Sequence, residues 1–468
     1  MREGERGDHS LPNAFTVLPG SQRIRRSMYW KDPPPDYHGM ETAQILSMRN
    51  GVREKDLCNQ CLRRQEELLW VLRTECEGVL RTALGSPHGT LANHKTREMN
   101  QDHTMENLFL APLSLLSTLA VILLGARGDS ASQMEKVLHL KDFVMTSNSS
   151  NTKCAQDTGV HAGISALLSE IKASHSRFHM VSGMFTGEAH PFLPKYLDCI
   201  EHLYNLKPEH LDFKNNLEKS RMYINSWIEK KTKGEIKDIL APSSLASSDQ
   251  LVLVSSFSFR GISKDAFQKE QTKVMAFRLN EYKSKPVQMM QLCGRFKLGF
   301  IEEPRAQVLE LPNAQDDLKI IIILPSEDLG VGQITREISY ENLKNWASAG
   351  NMKGIARVLH MPQLRLEERH EDLSFILEAL GMTDIFDSAK ADLSGITSAG
   401  GLMVSKIIHK VELDFTAGNS EFECTNQTSP AEAPEIIKVD HPFLFLILHK
   451  QTETILFYGR VASPEGKD

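Results

Sequence analysis

The chain has 468 residues, 41% hydrophobic and 24% charged, with a formal net charge of −6 at pH 7. That is the make-up of a folded, soluble protein, and length alone would allow about three domains. The acidic balance gives no footing for nucleic acid or an anionic membrane surface as a partner.

Met1 to Gly20 has no apolar run of the kind a cleavable signal peptide needs. Residues 1–64 hold Arg23-Ile24-Arg25-Arg26, the run Pro33-Pro34-Pro35 and few periodic apolar positions. A disordered extension is the better reading; an upstream artefact of the gene model is the alternative. Cys58-Asn59-Gln60-Cys61 has the spacing of half a zinc site, but such a site needs four ligands and no second pair follows. Two free thiols at the start of a helix are the simpler reading.

From Gln65 to Leu84 the residues Leu69, Leu72, Cys76, Val79, Leu80 and Ala83 fall at helical spacing, which predicts one amphipathic helix. Residues 85–104 read as a loop. Leu113–Ala126 is the longest apolar stretch, too short to cross a bilayer, and reads as a buried core helix. Ala131–Leu138, Val160–Ser174 and Leu217–Lys231 also read as helices, the last with Ile224, Trp227 and Ile228 on one face. Gln250–Phe259, Val308–Leu311 and Leu318–Leu324 read as strands. Ile320-Ile321-Ile322-Ile323 is apolar on both faces, so that strand should be covered on both sides. Leu444–Leu448 and Thr454–Val461 flank the polar turn His449–Glu453 and predict a hairpin. Helices come early and strands late, which points to an α+β fold rather than a βαβ repeat.

The seven cysteines, Cys58, Cys61, Cys76, Cys154, Cys199, Cys293 and Cys424, are odd in number and irregularly spaced. That argues against a disulfide framework and suits a reducing compartment. Asn148-Ser149-Ser150 and Asn426-Gln427-Thr428 match the glycosylation sequon, which matters only in an exported chain. No catalytic motif is present: there is no G-x-S-x-G, no H-E-x-x-H and no G-x-x-x-x-G-K-[ST]. Gly330-Val331-Gly332 lacks the third glycine of a nucleotide fingerprint. Cys199 and His202 lie one helical turn apart, but without further ligands they read as a core cysteine beside a surface histidine. His370-Glu371-Asp372 reads as a solvated loop. No cofactor or metal is implied.

One segment stands out. Phe415 to Val439, 25 residues rich in Thr, Ser, Glu, Asn and Pro, lies between the strand-like runs Ile407–Asp414 and Phe443–Leu448. Structureless loops of that length inside a domain are uncommon and usually functional.

From about residue 105 the order of segments resembles the serpin family, its ovalbumin-type (clade B, intracellular) branch above all. Asn107-Leu108-Phe109-Leu110-Ala111-Pro112-Leu113-Ser114 opens the core helix and Leu124-Gly125-Ala126-Arg127-Gly128 closes it. Asn225-Ser226-Trp227-Ile228-Glu229-Lys230-Lys231-Thr232-Lys233-Gly234-Glu235-Ile236 is similar to the family's N-x-W-[IV]-E-x-x-T-x-G-K-I run. Gln288-Met289-Met290, Leu309-Glu310-Leu311-Pro312, Ile322-Ile323-Leu324-Pro325, Ala391-Asp392-Leu393-Ser394-Gly395-Ile396 and Ser405-Lys406-Ile407-Ile408-His409-Lys410 match in turn. So do Asp440-His441-Pro442-Phe443-Leu444-Phe445 and Thr454-Ile455-Leu456-Phe457-Tyr458-Gly459-Arg460.

The resemblance implies a domain over 65–464 with a short tail at 465–468, built of three β-sheets and eight or nine helices, with an exposed reactive-centre loop. It implies a monomer with no catalytic group of its own, whose partner is a serine or cysteine protease if it inhibits. A cytoplasmic location is implied, with a leaderless route to the extracellular space left open. In the family mechanism the loop is bait; after cleavage it enters the large sheet as a new strand, releasing strain and distorting the trapped protease.

Entry demands that every second side chain of the loop's first half fit a packed interior. Inhibitory relatives meet this with Glu-Gly-Thr-Glu followed by alanines. The corresponding stretch here is Phe415-Thr416-Ala417-Gly418-Asn419-Ser420-Glu421-Phe422-Glu423-Cys424. Counted from Lys410, to within two residues, Gly418, Ser420, Phe422 and Cys424 face inward while Asn419, Glu421 and Glu423 face out. Phe422 stands in place of a small residue, and overpacking costs about 1–3 kcal/mol. Pro430 and Pro434 cannot join a sheet interior; the scissile bond is expected near Pro430-Ala431-Glu432, which would favour elastase-like or caspase-like proteases.

The shutter region that supports sheet opening also departs from the family. Ser182 and Ser255 stand for two asparagines, Leu116 stands for a serine, and Ser263 stands for a tryptophan, while Ser114 and His409 remain. Lost hydrogen-bond partners would alter the gating of insertion. Two readings follow: a loop that no longer inhibits, as in storage or chaperone relatives, or a working inhibitor with an atypical loop.

Overall fold

A computed structural model of the chain describes residues 107–464 apart from 139, 141–153, 155–159, 175–177, 261–271, 312–316, 338–339, 347–351, 353 and 416–435. The extension 1–64, the amphipathic helix expected at 65–84 and the tail 465–468 lie outside the described residues.

In chain order, β1 (Leu108–Leu110) leads into α1 (Pro112–Gly125), α2 (Gly128–Val137) and α3 (Val160–Ser174). Next come β2 (Phe178–Thr186), α4 (Pro194–Tyr204), β3 (Glu209–His210) and α5 (Leu217–Lys231). Five strands follow: β4 (Leu251–Arg260), β5 (Lys273–Arg278), β6 (Ser284–Ile301), β7 (Ala306–Leu311) and β8 (Leu318–Pro325). After α6 (Val331–Glu337) and α7 (Tyr340–Trp346) the chain forms β9 (Gly354–Pro362), β10 (Leu364–His370) and α8 (Ser374–Ala379). It ends in β11 (Val404–Phe415), β12 (Ile436–Lys438), β13 (Phe443–His449) and β14 (Ile455–Val461). Most of the elements read from periodicity that fall on described residues lie within one or two residues of these bounds, the ordinary uncertainty of element ends, but the helix read from Ala131 begins at Gly128 and the strand read from Ile407 begins at Val404, three residues earlier in each case.

α1 shows why. Pro112 presets the first turn, where its missing N–H costs nothing. No Gly or Pro interrupts the run before Gly125, and every residue of the helix is buried. A helix with no charged residue and only one narrow stripe of hydroxyls has no stable place except the interior.

The strands form two hydrogen-bonded networks, ordered β10-β11-β4-β2-β3 and β1-β14-β13-β8-β7-β6-β9-β12, with β5 added to β6. The larger network is two sheets sharing β6. Met289 faces both Lys273 of β5 and Pro362 of β9, while Lys297 faces both Glu310 of β7 and Ile355 of β9. β5 and β7 therefore occupy the same edge of β6 at opposite ends, and the third sheet is the five-stranded one. The Ile320–Ile323 run is covered on both sides: Ile320 and Ile322 join the main core, and Ile321 and Ile323 a second cluster under α6 and α7.

The centre of the five-stranded sheet, β4 with β11, is also covered on both faces. Leu253, Phe257, Ile407, Val411 and Leu413 face the main core with α1. Val252, Val254 and Ile408 face a separate cluster with Ile224 and Ile228 of α5.

Three expectations are corrected. Cys154 and Cys199 form a disulfide across 45 residues of sequence, so the scattered cysteines do include a bridge, and Cys199 is no metal ligand beside His202. Irregular spacing carried no sign of it because the bridge is set by how the segment ahead of α3 meets α4. His370-Glu371-Asp372 is not a solvated loop: His370 ends β10 with its ring stacked on that of His409, and Asp372 accepts the Ser374 N–H at the start of α8. Finally, Phe415 belongs to β11 and Ile436–Lys438 forms β12, so the segment between strands is shorter than Phe415–Val439.

Mapping a non-reduced digest by mass spectrometry should recover a peptide joining Cys154 to Cys199. Recovery of both as separate thiols would contradict this structure.

Candidate functional site

The family resemblance points to the seam between β4 and β11. These strands are parallel neighbours, paired from Leu251↔Val404 to Arg260↔Asp414 with one register shift between Val404 and Lys406. The chain leaves β11 at Phe415, beside the C-terminal end of β4. A segment that followed Phe415 into the sheet would run back antiparallel to both strands, and every one of these pairs would have to separate first.

The seam is held from beneath by a directed hydrogen-bond chain. Ala111 N–H donates to His409 Nε2 at 3.1 Å, which leaves the ring proton on Nδ1. Nδ1–H then donates to Ser255 Oγ at 3.0 Å. Ser255 Oγ and Ser114 Oγ are 2.9 Å apart, and Ser114 donates onward to Ser256 O at 3.1 Å. Each donor along the chain has one acceptor only when the imidazole is neutral. Burial, and then His370 beside it, hold the His409 pKa down to about 3.

Ser182 has its own partners. Thr118 Oγ1 donates to Ser182 Oγ at 2.8 Å, and Ser117 Oγ lies 3.2 Å away. The cost expected from unpaired partners therefore does not arise at these two serines: Ser182 and Ser255 are both satisfied from α1. Leu116 is buried in the apolar core. Ser114, Ser117 and Thr118 were legible as a group, since their i, i+3, i+4 spacing puts them on one face of an otherwise apolar helix.

From above, residues 232–250 cross the same seam as a strap. Ile236, Ile239, Leu240 and Leu245 bury against Val252, Val254 and Ile408. Lys410 of β11, 3% exposed, donates from Nζ to Lys237 O at 2.7 Å and pairs with Glu367 at 2.7 Å and Glu412 at 3.2 Å. Burial lifts the Glu412 carboxyl above its ordinary range, with Lys410 opposing. Lys406 donates to Ser244 O at 2.5 Å. On the β4 side, Ser258 Oγ donates to Glu235 Oε2 at 2.5 Å, and His179 Nδ1 lies 2.8 Å from the same oxygen.

Under the upper half of the seam lies an aromatic layer. Phe257 stacks on Phe178 at 5.7 Å and meets Phe457 at 6.3 Å. Phe445 contacts Phe415 at 5.5 Å and Phe457 at 5.9 Å. Gly459 permits this packing, because a Cβ there would fall 2.8 Å from the Phe109 ring.

Of the residues expected at the site, the structure brings Ser114, Ser255 and His409 together and sets Phe415, fully buried, at the loop's point of departure. Thr416, Ala417, Gly418, Asn419, Ser420, Glu421, Phe422, Glu423 and Cys424 lie outside the described residues, as do Pro430, Ala431 and Glu432. Among the described residues no group of three or more His, Cys, Asp or Glu side chains could hold a metal.

A seam of two parallel strands, pinned by a buried histidine and followed at once by a long connecting segment, is the arrangement of a strand-accepting protease-inhibitor fold. Residues 88–464 match the family model described as "Serpin (serine protease inhibitor)", and the chain belongs to the serpin family. Its relatives place it in the ovalbumin-type branch, clade B. Ovalbumin of Dromaius novaehollandiae is 37% identical over 372 residues, covering 79% of this chain and 96% of that protein. Human serpin B11 is 36% identical over 379 residues, with the same coverage. The crystal structure of uncleaved ovalbumin at 1.95 Å resolution superposes with a TM-score of 0.72 at 31% identity, covering 86% of this chain and all of that one. Serpins are protease inhibitors by family and not enzymes.

Ser255→Ala should lower the urea midpoint by the equivalent of about 1–3 kcal/mol, because His409 Nδ1–H and Ser114 each lose a buried partner. An unchanged midpoint would mean that the chain of hydrogen bonds does not hold the seam.

Proposed function

We propose that this serpin presents its reactive loop to endopeptidases as a substrate and no longer traps them. The observation that carries this reading is the aromatic layer beneath the upper seam. Phe178, Phe257, Phe415, Phe445 and Phe457 pack on one another beneath the seam, on the face toward which the inward side chains of an entering strand, Gly418 and Ser420 first and Phe422 third, would point. A small residue could slip past this layer; Phe422, inward in the register counted from Lys410, would have to displace it. Interiors are close-packed, so an added ring forces neighbours off their rotamers at about 1–3 kcal/mol. Pro430 and Pro434 would also withhold ladder hydrogen bonds farther along.

Slow insertion has a kinetic meaning. The acyl-enzyme can be trapped only if the loop enters before water releases it. An entering strand must break the β4–β11 pairs, the strap contacts of Lys406 and Lys410, and the His409–Ser255 link, while gaining little from its own inward residues. Deacylation then wins, and the protein leaves as a cleaved substrate.

A second reading is an active inhibitor with an atypical loop. It is favoured by the alternation of the hinge, where Gly418, Ser420 and Cys424 are small and Asn419, Glu421 and Glu423 are polar. One experiment separates the two. The protein is incubated with a panel of serine and cysteine proteases, elastase-like and caspase-like members included, and run on a denaturing gel. Cleavage without an SDS-stable complex is expected, and Phe422→Ala should raise the yield of complex. An SDS-stable complex with the unaltered protein would sink the substrate reading.

A further inference from the structure

β12 is the last strand of its sheet and is weakly held. Among the described residues it pairs only with β9, through Ile436↔Val358, Ile437↔Leu359 and Lys438↔His360, with one more bond from Val439 N–H to His360 O at 2.8 Å. In a parallel pair the register partners share a face, so the Lys438 and His360 side chains stand against each other. Across β9, His360 lies opposite Gln291 of β6. Two residues along β6 on the same face, Met289 lies opposite Lys273 of β5. The groups facing His360 among the described residues are therefore Lys438 from β12, Lys273 from β5, and the uncharged Gln291 and Met289 from β6. No described carboxylate balances the two lysines there. His360 Nδ1 is buried and has no hydrogen-bond partner.

We propose that His360 is an acid-sensitive latch: a proton on its ring, placed between Lys438 and Lys273, loosens β12 from β9 and releases the chain that follows the reactive loop.

At neutral pH the ring is uncharged and the pair is stable. Burial, then Lys438, then Lys273 lower its proton affinity while β12 is docked. Once β12 leaves, Lys438 goes with it and the ring meets water, so affinity returns toward the ordinary value. The detached form binds the proton more tightly, and falling pH draws the equilibrium toward it. The effect begins as pH drops below 6.5, the ordinary imidazole value. β12 begins at Ile436, at the C-terminal end of the reactive-loop sequence, so its release would free the chain there with no bond cut. This latch stands whether or not the protein traps proteases.

Hydrogen exchange on the full chain at about pH 7.5 and about pH 5.5, corrected for intrinsic rates, tests it. Protection of the Ile437 and Val439 amides should fall relative to that of Ile322 in β8, by up to about tenfold, the limit set by one pH unit below the ordinary imidazole value of about 6.5. His360→Gln should abolish the fall, and Lys438→Gln should reduce it. An equal loss at Ile322, an unchanged ratio, or the same fall in His360→Gln would each overturn the proposal; Lys438→Gln serves if His360→Gln does not fold.

Discussion

The substrate behaviour proposed for this serpin rests on one pair of parallel strands staying together. β4 and β11 are distant in sequence, and their ladder is the centre of the five-stranded sheet. α1 seals it beneath and the 232–250 strap seals it above. The chain that continues from β11 is the chain that a serpin uses as its extra strand. Closure of the seam and entry of the loop are thus competing uses of the same hydrogen-bonding edges, and backbone groups inside a sheet must be paired one way or the other.

Beyond its ladder and the apolar contacts on both faces, the seam is held by polar, directional links. Apolar contacts on both faces would tolerate some sliding, whereas the His409–Ser255–Ser114 chain is broken by a change of register or of protonation. Lys410 does the same from the other face by tying β11 to the strap carbonyl of Lys237. Buried polar links of this kind cost more to break than to omit. They make opening an abrupt event rather than a gradual one. In the proposed reading the aromatic layer then sets what kind of strand is admitted after opening, and Phe422 is the loop residue expected to conflict with it.

Much of the fold was legible in the sequence. The limits of α1, α3 and α5, the doubly covered strand β8 and the hairpin β13–β14 follow from periodicity and turn chemistry, because local pattern and tertiary burial agree there. The site was legible only in part. Ser114, Ser255 and His409 could be named from resemblance, but Thr118 and Ser117 as partners of Ser182 required knowing that α1 turns its one polar stripe toward β2. Lys410 as a strap contact, the His370–His409 stack and the Cys154–Cys199 bridge all join residues far apart in sequence, and no spacing rule encodes such meetings. β12 escaped notice because a strand of three residues at an edge has no period to detect.

The central claim is that the seam resists entry of this particular loop even after the loop is cut. Thermal melting of the protein before and after limited cleavage of the reactive loop tests it most directly. A rise of only a few degrees is predicted, since the cut strand stays outside the sheet. A rise of tens of degrees would show that the loop inserts fully, and would contradict the account.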